Sequence, residues 1–206
     1  MAGRGPSSPY QEATRELLRA SILDAMRALL LERDWAKITV GDVAARAGVS
    51  RQTLYNEFGS RAGLAQAYAI RLADDLVDHV GTAVAANVGD ARAAIREGLA
   101  GFFLDAAADP LVCSLLAGAA KPDLLRLITL DAGPLVEHAT ARLAAVFEHS
   151  WVEAGAAQAD VLAHALVRIA LSYIPNPPGP GRNGPAELAD LLTPYVDGIL
   201  AAREAG

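Results

Sequence analysis

Polar side chains that could read nucleic acid cluster in a short segment that begins at Ser50. Arginine can grip guanine O6 and N7, glutamine can pair with adenine, and threonine or tyrosine hydroxyls can hold phosphates. Leu54 and Phe58 lie four residues apart, which on a helix puts both on one face and leaves the polar side chains exposed. The pattern predicts a helix that offers its polar face to the DNA major groove. The predicted contacts here are Ser50, Arg51, Gln52, Thr53, Tyr55 and Asn56.

The residues before this segment predict a second short helix and a tight turn. Thr39 can cap a helix whose third residue is Asp42, and both favour the positive, donor-rich helix end. Gly48 suits the left-handed backbone that ends such a helix, and Val49 follows as an apolar plug. An ordinary surface helix would not require the cap, glycine, turn and polar face to coincide. We therefore predict a helix-turn-helix unit.

Charge divides the chain into two unlike regions. Residues 1–70 hold nine Lys/Arg and seven Asp/Glu, and residues 71–206 hold nine and seventeen, giving +2 and −8, which sum to −6. Because screening limits repulsion by the acidic part to about 8 Å at physiological salt, the local basic face decides DNA binding. Alternatively, each cation is simply a solvated surface charge. The further DNA candidates are Lys37, Thr39, Arg46 and Arg61.

The stretch from Thr39 to Tyr55 resembles the signature of the TetR family of bacterial transcriptional regulators. That signature runs Thr, aliphatic, any, Asp, aliphatic, Ala, two variable, Ala-Gly-Val-Ser, two variable, Thr, apolar, Tyr. The segment from Phe58 to Leu64 looks like the family's Phe-x-x-Lys-x-x-Leu, with Arg61 in place of the commoner Lys, and Asn56 stands where many relatives carry His. The resemblance implies a homodimeric repressor that binds a palindromic operator and is released by a small-molecule effector.

Composition favours helices throughout. Hydrophobic residues make up 52% and aromatic residues 5% of the chain, and alanine and leucine outnumber β-branched types. We predict an all-α fold, in which a three-helix DNA-binding domain is joined by a long helix to a helical ligand-binding and dimerisation domain. Cys113 is isolated, and the histidines lack metal-ligand spacing, so we expect no enzyme, metal or cofactor. The single cysteine and the absence of a membrane-length apolar run favour the cytoplasm.

The predicted boundaries follow caps and prolines along the chain. We predict a flexible arm at residues 1–9, the DNA-binding domain at 10–59 and the second domain at 60–206. Arg4 in the arm is a candidate for contact with the DNA minor groove. The proline-rich segment 175–185 is predicted to connect two helices at the surface, with docking of a partner as the alternative. Besides the helix-turn-helix, helices are expected at 12–33, from 60 through 80, and at 90–107, 109–119, 121–130, 134–153, 157–174 and 185–202.

The resemblance implies that the last two helices pair with their mates in a four-helix bundle. Apolar residues on those helices are candidates for the interface, and they serve equally well as core within one chain. The candidates are Leu162, Leu166, Ile169, Leu191, Leu192, Tyr195 and Ile199.

The resemblance also implies an effector cavity in the second domain. Its apolar composition predicts a hydrophobic effector, with lipid or alkane metabolism as the expected setting, and His138, Arg142 or His149 could orient a polar group. The alternative is a solid core in a regulator controlled by a protein partner. The predicted lining comprises Leu72, Leu76, Phe102, Phe103, Leu115, Leu116, Leu125, Ile128, Leu143 and Phe147.

Overall fold

The computed structural model describes residues 9–116, 122–179 and 181–204, and all regular secondary structure in these ranges is helical, which confirms the predicted all-α fold. A single 3-10 turn, Trp35–Lys37, follows the first helix. The helices are α1 (Pro9–Glu32), α2 (Val40–Arg46), α3 (Arg51–Phe58), α4 (Arg61–Ala86), α5 (Ala91–Ala108), α6 (Pro110–Leu116), α7 (Pro122–Ile128), α8 (Gly133–His149), α9 (Ala156–Tyr173) and α10 (Gly184–Glu204).

The helices begin where local chemistry satisfies or removes free backbone donors. The Asp90 carboxylate accepts from the backbone N–H of Ala93 at 2.8 Å and caps α5. Pro110 and Pro122 occupy the first position of α6 and α7, where a missing N–H costs no hydrogen bond. The predicted helix ends near residues 117–121 lie outside the described residues. So does the predicted arm, apart from Pro9, at which α1 begins.

The chain forms two compact units, residues 1–68 and 69–206, and the boundary falls inside α4. In the first unit, α1, α2, α3 and the start of α4 enclose a small apolar core. Its most completely buried side chains are Ile22, Met26, Ile38, Val43, Leu54, Leu64 and Tyr68.

The second unit is a helical bundle whose core draws on α4, α5, α8, α9 and α10. Helix α8 packs along α9, and α5 packs along α10. The helices α4 and α5 approach closely at Gly98, where an added Cβ would lie 2.9 Å from the Cα of Val80. Trp151 donates from Nε1 to the carbonyl of Val84 at 2.7 Å and so fastens the end of α8 to α4.

In the parts of the chain that the structure describes, no single helix has both the length and the apolar character needed to cross a membrane. The pair α5 and α6 meets those criteria only together, and it is bent by 74° at the break between the helices.

Candidate functional site

The first helix of the predicted helix-turn-helix begins with a reciprocal cap. The Thr39 hydroxyl accepts from the backbone N–H of Asp42 at 3.2 Å, and the Asp42 carboxylate accepts from the backbone N–H of Thr39 at 2.8 Å. The hydrogen bonds from the Thr39 backbone and hydroxyl lower the pKa of the Asp42 carboxyl below its ordinary 3.8. Asp42 is therefore ionised at neutral pH, and Thr39 is occupied in holding the start of α2.

The turn and the second helix have the predicted local geometry. Gly48 has a φ of +70°, the left-handed conformation that ends α2. The Ser50 hydroxyl accepts from the backbone N–H of Thr53 at 2.9 Å and lies 2.8 Å from the Thr53 hydroxyl, so both polar side chains serve the start of α3. Leu54 and Phe58 are buried. The polar face of α3 consists of the exposed Arg51, Gln52, Tyr55 and Asn56.

Two contacts arrange this polar face. The Arg51 guanidinium lies against Gly41 on α2, where an added Cβ would come within 2.6 Å of its Nη2 atom. Gln52 donates from Nε2 to Oδ1 of Asn56 at 2.9 Å. No local pattern predicts the contact between Arg51 and Gly41, because it crosses the turn between the two helices.

The other end of α3 is held by α1, through residues that sequence reasoning missed. Arg19 donates from Nη1 to the Glu57 carbonyl at 2.6 Å and lies 4.4 Å above the centre of the Phe58 ring. Arg15 donates to the Glu57 carboxylate at 2.7 Å. These arginines lie 38 and 42 residues before Glu57, and no local pattern marks such a pairing. Helix α3 is thus fixed at both ends.

The predicted cations differ in how they are held. Arg46 donates to the Glu32 carboxylate at 2.8 Å in an exposed ion pair, and Lys37 is exposed. The guanidinium of Arg61 donates to the carbonyls of Trp35 at 2.5 Å and Ile38 at 3.2 Å, and it stacks 3.8 Å above the Trp35 ring. The phosphate contact predicted for Arg61 stays a prediction, but this side chain already links the segment before α2 to the start of α4.

An apolar slot lies within the second unit. The slot and its open mouth together enclose about 620 Å³. Every residue that lines it has an apolar side chain. The slot is lined by Ala69, Leu72, Ala73, Leu76, Phe102, Leu111, Val112, Leu115, Leu124, Leu127, Ile128, Leu135, Val167, Ala170, Leu171 and Ile174.

The structure brings five of the ten predicted lining residues to this slot: Leu72, Leu76, Phe102, Leu115 and Ile128. Phe103 and Leu116 instead line a neighbouring groove of about 910 Å³ with its open mouth included, beside Tyr173 and the segment that joins α9 to α10. The other three predicted residues line neither the slot nor the groove. Leu143 and Phe147 are buried in the core farther along α8. Leu125 is 48% exposed, because Leu124 and Leu127 take the inner face of α7.

The polar candidates of the second unit do not line the slot. His138 Nε2 lies 2.7 Å from the Asp74 carboxylate, which also receives a hydrogen bond from Arg142. His149 Nδ1 lies 2.7 Å from the carbonyl oxygen of Ala145. The interactions of His138 and Arg142 join α8 to α4.

The predicted dimer candidates separate into buried and exposed residues. Leu162, Leu166, Leu192 and Ile199 lie in the core of the chain itself, and Ile169 packs against that core, because the strongest apolar stripe of each helix faces inward. Leu191 is 64% and Tyr195 39% exposed. The outer face of α9 and α10, as we define it, consists of the exposed Val161, His164, Arg168, Leu191, Pro194, Tyr195 and Gly198.

Comparison with known families covers both units. Residues 22–68 match the family model described as bacterial regulatory proteins, tetR family, and residues 90–194 match the C-terminal domain model of the bacterial tetracyclin repressor. Over 189 residues the chain is 56% identical to the HTH-type transcriptional regulator AlkX of Mycobacterium tuberculosis (strain ATCC 25618 / H37Rv), covering 92% of this chain and 90% of that protein.

Solved structures agree with this assignment. The crystal structure of the TetR family repressor AlkX from Dietzia sp. strain DQ12-45-1b, implicated in biodegradation of n-alkanes, superposes with a TM-score of 0.80 at 40% identity, covering 87% of this chain and 97% of that one. A TetR regulator from Rhodococcus sp. RHA1, at 18% identity and a TM-score of 0.51 over 90% of this chain and 98% of that one, shares the fold. The chain belongs to the TetR family, whose members are DNA-binding transcriptional regulators and not enzymes.

Proposed function

We propose that this protein is a homodimeric repressor that binds a palindromic operator through α3 and is released from it by a hydrophobic effector. The observation that carries the proposal is the continuity of α4. Leu64 and Tyr68 of this helix are buried in the first unit, and Leu72 and Leu76 line the apolar slot of the second. An effector that displaces α4 at the slot therefore acts on a helix that is also part of the DNA-binding unit.

The polar face of α3 supplies the proposed base and phosphate contacts. Arg51 and Gln52 would read base edges, while Tyr55 and Asn56 lie along the same exposed face. Ser50, Thr53 and Thr39 have their hydroxyls bound at helix starts, so we assign them to positioning α2 and α3. We propose that phosphates bind near those helix starts. Arg46 contributes positive charge from α2.

The slot favours an effector with a hydrocarbon chain. All of its lining residues have apolar side chains, which suits a hydrocarbon chain that has no polar group to satisfy. The Dietzia relative is implicated in biodegradation of n-alkanes. We therefore propose that this regulator controls genes of alkane metabolism and responds to an alkane or a product derived from one, in the cytoplasm of a bacterium.

Dimerisation is proposed through the outer face of α9 and α10. Two symmetric half-sites require two reading helices at a fixed separation, and a two-fold dimer presents the same patch on both subunits. Leu191 and Tyr195 are the large apolar side chains that α10 exposes on this face.

Binding of operator DNA, with and without ligand, tests the function. We expect the protein to protect a palindrome near its own gene. We also expect it to gain thermal stability with at least one compound from a series of alkanes, alcohols and acids of about 8 to 16 carbons. The same compound should weaken operator binding by about 5- to 150-fold. Stabilisation by no member of the series, with intact operator binding, would favour control by a protein partner.

Filling the slot should remove the response to ligand and leave DNA binding intact. Ala170 lies in the slot and is 1% exposed, so Ala170→Phe places a ring where the chain of the effector would lie. The matched control is Ala141→Phe, which adds the same ring at an exposed position of α8. An Ala170→Phe protein that still releases the operator on ligand addition, as the control does, would show that the effector binds elsewhere.

A further inference from the structure

We propose that Gln52 and Asn56 read one base pair as a unit, in which Gln52 contacts an adenine and Asn56 holds the Gln52 amide in the orientation that this contact needs. The inference rests on the proposed function, since it concerns operator recognition by α3. It assigns Asn56 the role of a positioning residue for specificity.

The two amides are joined before DNA arrives. Gln52 Nε2 donates to Asn56 Oδ1 at 2.9 Å, and the residues are four apart on the exposed side of α3, opposite the buried Leu54. The neighbouring polar side chains, Arg51 and Thr53, contact residues other than Gln52 and Asn56. Arg51 packs against Gly41, and the Thr53 hydroxyl lies 2.8 Å from that of Ser50.

The bond to Asn56 leaves Gln52 able to recognise adenine. A glutamine amide has two donor hydrogens and one acceptor oxygen, and Asn56 uses a single hydrogen. Oε1 and the second hydrogen remain, and these match the N6 donor and the N7 acceptor of adenine in the major groove.

The same bond explains why Asn56 would affect base preference. If the Gln52 amide rotates by half a turn, its oxygen and nitrogen exchange places and it can donate to guanine O6. While Asn56 keeps Oδ1 towards Gln52, the hydrogen bond from Nε2 opposes that rotation, because a turned Gln52 would place Oε1 against Oδ1. The bond also removes rotamer freedom before binding. Asn56 would thus favour adenine over guanine without touching a base.

The experiment first finds the operator by selection from random duplexes and then compares symmetric operators with A·T replaced by G·C at each position. Gln52→Ala should lose a preference of about 5- to 150-fold for A·T at one position of each half-site. Asn56→Ala should reduce that same preference by about 1.4- to 2.3-fold, the value of one amide hydrogen bond between residues four apart on a helix. In a Gln52→Ala background, Asn56→Ala should change the preference at that position no further.

Asn56→Asp provides the matched control. Aspartate keeps an oxygen that accepts from Gln52 Nε2, so the preference for A·T should persist. The added negative charge should lower affinity for all duplexes. Both residues are exposed, and thermal unfolding of each variant verifies that the fold is intact.

Three results would overturn the inference and leave the proposed function standing. The first is that Asn56→Ala lowers the affinity for every duplex by the same factor. The second is that Asn56→Ala changes the base preference equally in the wild-type and Gln52→Ala backgrounds, which would mean that Asn56 contacts a base directly. The third is an operator-binding protein whose preferences survive Gln52→Ala. A wild-type protein that selects no duplex overturns both.

Discussion

Replacing Leu191 by glutamate is expected to turn the proposed dimer into a monomer and to lower operator affinity by about 100- to 10,000-fold. That factor is the gain in affinity that linking two DNA-binding units provides. Leu191 is 64% exposed on α10, within the outer face of α9 and α10. A carboxylate buried there without a partner costs several kcal/mol, and two-fold symmetry introduces two of them. Sedimentation velocity at micromolar concentration and operator titration measure the two effects.

The control places the same charge on another exposed leucine of the second unit. Leu104 on α5 is 73% exposed and lies outside the outer face of α9 and α10. Leu104→Glu should remain a dimer with normal operator affinity. If Leu104→Glu separates the subunits and Leu191→Glu does not, the interface lies on a different face.

The helix-turn-helix could be predicted from sequence because its determinants are local. A cap, its partner three residues later and a glycine at the helix end act over one or two turns of chain. Thr39 and Ser50 accordingly cap α2 and α3 in the structure as the sequence predicted. The polar side of α3 follows from the period of a helix once Leu54 and Phe58 are placed inside.

The faces of the second unit could not be assigned in the same way. Helical spacing identifies an apolar stripe, but it does not say whether the stripe meets the core, a cavity or another subunit. Leu166 and Leu191 are both leucines at helical spacing, yet one is 1% and the other 64% exposed. Likewise, Leu76 lines the slot and Leu143 does not, because the neighbours of each residue are set by packing between distant segments.

The role of Arg61 shows the same limit for a charged residue. An arginine after the reading helix is readily interpreted as a phosphate contact. In the structure the guanidinium is placed by Trp35, which lies 26 residues earlier in the chain. A lysine, the commoner residue of the family at this position according to the sequence resemblance, has one ammonium group and no planar face with which to stack.

We therefore expect Arg61→Ala to destabilise the first unit by about 2–4 kcal/mol, through loss of charged hydrogen bonds and of the stacking on Trp35. The carbonyls of Trp35 and Ile38 each lose a donor, and the segment between α1 and α2 loosens. Hydrogen exchange of residues 35–58 measures this directly, since opening of the first unit is detected there separately from the second.

Arg61→Lys decides between the two roles of this residue. Lysine keeps the positive charge, so a phosphate contact would survive the Arg61→Lys substitution. Of the two variants, only Arg61→Ala would then lower the salt dependence of DNA binding, by about one unit of slope. If Arg61 instead links the segment before α2 to the start of α4, both variants should increase hydrogen exchange, and the lysine variant should do so by less. The salt slope of DNA binding should then stay unchanged. Arg46→Ala is the control for hydrogen exchange alone, because the exposed ion pair of Arg46 with Glu32 contributes less than about 1 kcal/mol to stability. Normal hydrogen exchange in Arg61→Ala, together with a reduced salt slope, would show that Arg61 contacts a DNA phosphate and does not stabilise the first unit. A side chain whose only role is to bind DNA leaves the free protein unchanged when it is removed.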